Sequence, residues 1–173
     1  EAVLGELASY YAMISEVDDN IGKILDALEK SGKYDNTIII FASDNGLAVG
    51  QHGLIGKQNL YDHSIRVPLI FSGPGIKKGV LTESLVYLHD LFPTIADLVG
   101  IETPKIIHAK SLKPILDNPN ETVRENVFYL YKNFQRGVRT KDWKLIKYLV
   151  DGWQTTQLFD IKNDPLEMNN LVY

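Results

Sequence analysis

An acid–amide pair, Asp44-Asn45, closes an apolar run and is followed at once by Gly46. Adjacent carboxylate and amide oxygens suit a hard divalent cation, Ca²⁺ or Mg²⁺, better than a soft one. Along a regular strand, neighbouring side chains point to opposite faces, so both can reach one ion only where the strand has already ended. Ca²⁺ takes about six to eight oxygens, and this pair offers only two or three of them. A polar turn in which Asp44 and Asn45 bond backbone groups uses the same residues, and spacing alone leaves both readings open. Residues 46–66 then hold four glycines, two histidines (His52 and His63) and Lys57, set between Gly56 and Gln58. Lys57 could reach back toward a metal-bound anion as a point charge with three donors, or stand as a solvated surface lysine.

The flanking elements must place these groups. Residues 37–42 are β-branched and apolar on both alternating faces, which predicts a parallel strand covered on both sides. In open α/β sheets the ligand crevice lies beyond the C-terminal strand ends, where Asp44 falls. A second apolar run, 67–71, closes at Ser72-Gly73-Pro74-Gly75. The aperiodic stretch between the two runs is long enough to favour a functional loop. Upstream, Leu7, Tyr10, Ile14, Val17, Ile21, Ile24 and Leu28 repeat at alternating spacings of 3 and 4, the stripe of an amphipathic helix. Ser31-Gly32 supplies its stop. A helix lying on a sheet is expected rather than a coiled coil, because Tyr11, Gly22 and Leu25 interrupt a heptad seam. So long a helix needs more surface than the following strands offer, and nothing before Leu4 reads as the start of a domain.

Asp90 reads as an N-cap, with Pro93 in the first turn and Gly100 at the helix end. His89 reads as structural, and no spacing recommends His108 as a ligand. Residues 111–116 predict a short helix. From Asn126 the texture changes to short strands at 127–131, 135–140, 143–149 and 154–160, a β-meander. Trp143 and Trp153 read as core or edge aromatics, and Trp153 beside the Gly152 turn is the one placed to line a cleft. The fold class expected is α/β: part of a mostly parallel sheet flanked by helices, plus a small antiparallel C-terminal subdomain. The boundary falls in the 117–121 loop, giving 1–120 and 121–173.

Composition excludes several classes. With 173 residues, 45% hydrophobic and 23% charged, the chain is globular rather than disordered. Lys+Arg 18 against Asp+Glu 22 gives a net charge of −4 and no basic run, so no nucleic-acid partner is expected. Apolar runs reach only about six residues, which predicts no membrane span. Residues 1–6 have neither the basic start nor the apolar stretch of a signal peptide. Cysteine is absent, which removes disulfides, thiolate metal sites and cysteine nucleophiles from these residues. Asn120-Glu121-Thr122 fits the N-glycosylation pattern, which matters only in a eukaryotic secretory setting.

Taken in order, the chain resembles the sulfatase family of the alkaline-phosphatase superfamily. The resemblance rests on Tyr10-Tyr11 with residues 17–22, on 37–46, and on His52-Gly53, Gly56-Lys57, 60–62 and 66–70 leading to Gly73-Pro74-Gly75. It runs on through 90–95 and Gly100, then 138–140, 143–146, 158–160, Asp164-Pro165, Glu167 and 169–171. Each stretch is weak alone; together they span essentially the whole chain. The resemblance implies that Asp44 and Asn45 ligate a divalent cation, Ca²⁺ with Mg²⁺ as the alternative, and that Lys57 binds the sulfate group. It places His52 near substrate. The family's nucleophile is a Cys or Ser oxidised to formylglycine within a Cys/Ser-x-Pro-x-Arg motif. No serine here has Pro at +2 and Arg at +4, and the family's N-terminal aspartate pair, lysine and histidines have no counterparts.

The expectation is therefore the C-terminal portion of a sulfatase, a sulfuric ester hydrolase acting on a sulfated small molecule or saccharide. The N-terminal half of the same protein would complete the site, and this segment alone is expected to be inactive. The family tends to be periplasmic or secreted, but no residue here selects a compartment. Two rivals stand. A phosphatase or phosphodiesterase of the same superfamily more often carries Asp-His-Gly at this strand end, a nitrogen ligand suited to Zn²⁺. A non-enzymatic binding module would be a compact monomer with its apolar faces covered.

Overall fold

The computed structural model describes residues 2–172, which fall into two compact units. The first comprises the chain up to Lys57 together with Arg66–Ile76; the second comprises Gln58–Ile65 together with everything from Lys77 onward.

The first unit begins with α1 (Ala2–Lys30), which ends as expected where Gly32 takes φ 70° and donates its N–H to the Glu29 carbonyl at 2.8 Å. The expected stripe is only partly covered. Leu7, Tyr10, Ile21 and Leu28 are half-buried, with Leu25 joining them, whereas Ile14, Val17 and Ile24 are 49, 52 and 67% exposed. After a 3₁₀ turn at Tyr34–Asn36 come β1 (Ile39–Ala42), β2 (Ala48–Val49), β3 (Ile55–Gly56) and β4 (Leu69–Ser72).

The two apolar runs do form strands, but they pair antiparallel, with Ile39 opposite Ser72 and Ala42 opposite Leu69. No parallel pair forms among the described residues. The antiparallel β1–β4 pairing has a simple cause. Apolarity on both faces reports coverage, not direction, and a parallel pair needs a crossover that carries the chain back to the starting end of the sheet. Residues 43–68 make no such crossover: they fold into the small β2–β3 ladder and a one-turn helix, and the chain comes back beside β1 running the other way. Gly73 ends this pairing in close approach, since a Cβ there would lie 2.6 Å from the Thr37 carbonyl oxygen.

The second unit holds α2 (Asp62–Ile65), α3 (Leu91–Val99), α4 (Lys113–Asp117) and a four-stranded antiparallel sheet. Its strands are β5 (Val127–Tyr131), β6 (Gln135–Arg139), β7 (Trp143–Val150) and β8 (Trp153–Asp160), the expected meander to within two residues. Alternation sorts the sheet into two faces. Val127, Arg139, Lys144 and Phe159 form one cross-strand row on the inner face, followed by Tyr129, Gly137, Ile146 and Gln157. Val127, Ile146 and Phe159 are buried, as are Leu60 and Tyr61, and the Tyr61 ring meets Phe159 edge-on at 6.0 Å. Trp153 is not a core residue: it is 73% exposed.

Helix α3 ends at Gly100 (φ 74°), as its sequence predicts. Asp90 stands at its N-cap position, but the carboxylate makes no capping bond to the helix. It is fully buried, and accepts the backbone N–H groups of Tyr87 and Lys110 and both terminal nitrogens of Arg124. A guanidinium within reach outcompetes a helix N–H, because charge-assisted bidentate bonds are the stronger ones.

Candidate functional site

The end of β1 delivers the acid–amide pair. The strand stops at Ala42, and Ser43 hydroxyl donates to the Asn45 carbonyl at 3.0 Å, bending the backbone out of extended geometry. Asp44 is exposed and accepts the Asn45 backbone N–H at 2.8 Å. The half-buried Asn45 side chain donates from Nδ2 to the Gly46 carbonyl at 2.8 Å. That bond fixes the amide orientation and leaves Oδ1 as the acceptor facing outward from the turn.

The β2–β3 ladder then closes the loop. Pairing Ala48 with Gly56 and Val49 with Ile55 folds residues 43–57 back on themselves, so the residue after β3 returns to the start of the loop. That residue is Lys57, whose Nζ donates to Asn45 Oδ1 at 3.3 Å. The five-residue connection is built for tight curvature: Gly50 takes φ 100° and His52 takes φ 53°, a left-handed conformation uncommon for a side chain other than glycine. His52 is half-buried in this connection. Asn45 and Lys57, twelve residues apart, are therefore brought together, with Asp44 adjacent by sequence and His52 held on the same hairpin.

The Lys57 ammonium so held can grip an anion, while the Asn45 amide oxygen and the Asp44 carboxylate beside it can only serve a cation. The donor chemistry is that of a hard cation. Yet no group of three or more His, Cys, Asp or Glu able to hold a metal ion occurs among the described residues. Asp44 and Asn45 fit part of a divalent-cation site and supply less than a full shell. His89 stacks on Tyr87 at 4.7 Å between centroids, with its Nε2 3.8 Å from Asp90, a structural setting as its sequence suggests.

Spacing does not reveal a second set of charged residues. Asp62 accepts the Lys144 ammonium at 2.9 Å and also pairs with Arg139; Lys144 meets Glu167 at 2.6 Å; and Glu167 accepts the Asp62 backbone N–H at 2.6 Å. The Lys144 side chain is 0% exposed and that of Glu167 2%. Burial raises the Asp62 carboxyl, but attraction and hydrogen bonding from Lys144, and then from Arg139, outweigh it and hold it below the ordinary carboxylate value. The available signal was weak: Asp62, Arg139 and Glu167 all sit in stretches that carry the family resemblance, but no periodicity links positions so far apart.

Comparison with known proteins places this architecture. Residues 50–173 match the family model described as N-sulphoglucosamine sulphohydrolase, C-terminal. The chain is 38% identical, over 95% of its length, to an N-acetylglucosamine-6-O-sulfatase of Bacteroides thetaiotaomicron, and 34% identical to arylsulfatase K of Mus musculus, covering 32% of each. It spans about a third of the length of the curated relatives it matches. Among solved structures, one in complex with its substrate D-glucosamine-2-N,6-O-disulfate superposes with a TM-score of 0.85 at 38% identity, over 91% of this chain and 34% of the other. A phosphonate monoester hydrolase of Agrobacterium radiobacter superposes with a TM-score of 0.81 at 28% identity, over 94% of this chain and 36% of that one. The chain belongs to the sulfatase family, within the C-terminal group named for N-sulphoglucosamine sulphohydrolase.

Proposed function

We infer that this chain works as part of a sulfatase that hydrolyses sulfate monoesters, and that its substrate is a sulfated saccharide. The observation that carries the reading is the meeting of Lys57 and Asn45 at the end of β1, in a chain whose relatives are sulfatases. In this proposal Asp44 and Asn45 hold one side of a divalent cation, Ca²⁺ in preference to Mg²⁺, and Lys57 grips a non-bridging sulfate oxygen with His52 beside it. Cation and ammonium together draw charge from the sulfate while the leaving oxygen becomes anionic. The attacking hydroxyl would come from a formylglycine outside these residues, and the remaining cation ligands from the same N-terminal half.

The exposed apolar face of α1 supports a larger partner surface. Leu4, Tyr11, Met13, Ile14, Val17 and Ile24 are each 49–69% exposed, more apolar surface on one helix than a solitary module is expected to leave in water. We assign that face to the N-terminal half, and with it the parallel neighbours that β1 lacks here. Residues 1–120 then contribute to the catalytic α/β domain, and 121–173 form the small antiparallel subdomain.

The second reading, phosphate- or phosphonate-ester hydrolysis, has the phosphonate monoester hydrolase likeness in its favour. The natural protein that carries this chain distinguishes the two by metal content and substrate: bound Ca²⁺ with sulfate-ester turnover supports the first, Zn²⁺ with phosphate- or phosphonate-ester turnover the second. In that protein Lys57→Ala is expected to lower sulfatase kcat/KM by about a hundredfold. Unchanged turnover would remove Lys57 from the site. The 173-residue chain alone is expected to cleave no sulfate ester, and cleavage by it unaided would overturn the division of labour.

A further inference from the structure

The inner face of the meander sheet carries two cations and no acid. Arg139 and Lys144 lie directly opposite one another on β6 and β7, a like-charge pairing that a sheet normally avoids. The other inner-face positions, alternating from Val127 on β5 through Gln135, Ile146 and Gln157 to Phe159 on β8, hold no Asp or Glu. Tyr129, whose ring lies 5.9 Å from the Lys144 ammonium, supplies no charge either, because burial raises its pKa and keeps the phenol protonated.

Both counter-charges arrive from outside the sheet, on residues 105 positions apart in the chain. Asp62, on the Gln58–Ile65 segment, takes the Lys144 ammonium at 2.9 Å and pairs with Arg139; Glu167, in the stretch after β8, meets Lys144 at 2.6 Å. Each segment has further holds on the sheet. The Gln135 amide donates to the Gln58 carbonyl and the Tyr61 hydroxyl to Gln157, both at 3.0 Å. After β8, the Asn170 side chain accepts the Leu158 N–H at 3.0 Å, and the Leu171 N–H donates to the Leu158 carbonyl at 2.8 Å. All of these residues belong to the second unit. Glu167, from a backbone at φ 58°, also accepts the Asp62 N–H at 2.6 Å, so the two segments grip each other as well as the sheet.

The charge balance makes these two holds interdependent. With both segments docked, two cations face two carboxylates around a Lys144 side chain that is 0% exposed. With either segment lifted away, one carboxylate is left facing both cations, and an uncompensated charge in a buried set is strongly unfavourable. We propose that the stretch after β8 is a strap that, through Glu167, locks the Gln58–Ile65 segment onto the sheet, so that the two dock and release as one cooperative unit while the sheet itself persists. Apolar contacts alone would hold each segment separately. Shared charges make the coupling reciprocal, so whatever loosens one segment loosens the other.

Hydrogen exchange read peptide by peptide, in the natural protein carrying this chain, tests the coupling without any substitution. At low urea the amides of 58–65 and 161–171 are expected to open with one common urea dependence, below the opening free energy of β6 and β7. Separate dependences for the two segments would overturn the proposal. Variants then locate the lock. Glu167→Gln keeps an oxygen for the Asp62 N–H but loses the charge, and is expected to speed exchange at 58–65 by about tenfold or more, a usual size for coupling between sites. Asp62→Asn is expected to speed exchange at 161–171 to a similar degree, while the interior amides of β6 and β7 keep their protection. Lys141→Ala, which removes only the exposed pair with Glu83, is expected to change neither segment. A rise confined to the altered residue's own segment, or one shared equally by β6 and β7, would overturn the proposal. If neither charge variant folds, the urea dependence of the unaltered protein decides.

Discussion

Lys144 and Lys141 show how differently two lysines three residues apart can matter. Lys144 is wholly buried between two carboxylates, while Lys141 pairs with Glu83 at 3.0 Å with both side chains at least 70% exposed. Removing one member of a buried charge set strands the others in a low-dielectric setting, whereas an exposed pair already has water as a substitute. Lys144→Ala should therefore destabilise the fold by about 3–5 kcal/mol, read as a large fall in the urea midpoint. Lys141→Ala should leave that midpoint where it is. The same logic at the site explains why Asn45 and Lys57 can stay together without burial: an amide oxygen asks less of its partner than a carboxylate does.

At the scale of elements, the hairpins are set by close backbone contacts more than by side-chain pattern. The β1–β4 pair depends on Gly73, where the backbone of the returning strand passes the Thr37 carbonyl with no room for a Cβ and with φ at 140°. Gly73→Ala should lower stability by about 1–3 kcal/mol, since both a steric clash and an unfavourable backbone region are imposed at once. A thermal melt reports the loss. On the proposal that Asp44 at the end of β1 ligates a divalent cation, the variant should also weaken its retention; unchanged stability would show that β1 and β4 separate there without penalty. The β2–β3 ladder is smaller still, two residues a side, yet it returns Lys57 to Asn45.

Across the whole molecule, the buried Asp90 and the half-buried Asp62 make the fold sensitive to acid. Burial tends to raise Asp90, but Arg124, then the Tyr87 and Lys110 N–H groups, more than reverse this, and the Asp90 carboxyl lies below its ordinary value, as does that of Asp62. A carboxyl depressed in the folded state binds protons more readily once unfolded. Its contribution is complete above the unfolded value near pH 4 and disappears as the pH falls through the folded value. Stability measured by urea unfolding should thus be flat from about pH 7 to 5 and decline steeply below about pH 4. Asp90→Asn should be less stable at neutral pH and show a shallower acid slope; an unchanged slope would mean that Asp90 is not depressed. No helix among the described residues is long and apolar enough to cross a membrane, in line with the short apolar runs.

Residue order by itself determined the local elements. Side-chain periods of about 3.6 and 2 are properties of one segment, so α1, α3 and the four C-terminal strands could be read without knowing what they touch. Asp44-Asn45 at a strand end and Lys57 after a run of glycines were legible in the same way, as oxygen donors and a cation on a turning backbone. Direction of pairing was not legible: nothing within 37–42 states whether its neighbour runs with it or against it, and the fold of residues 43–68 chose antiparallel. Nor was the link between Asp62, Arg139, Lys144 and Glu167, whose positions span more than a hundred residues. The tertiary structure decided these because they depend on which faces meet. A buried charge is tolerable only where folding has already brought its counter-charge.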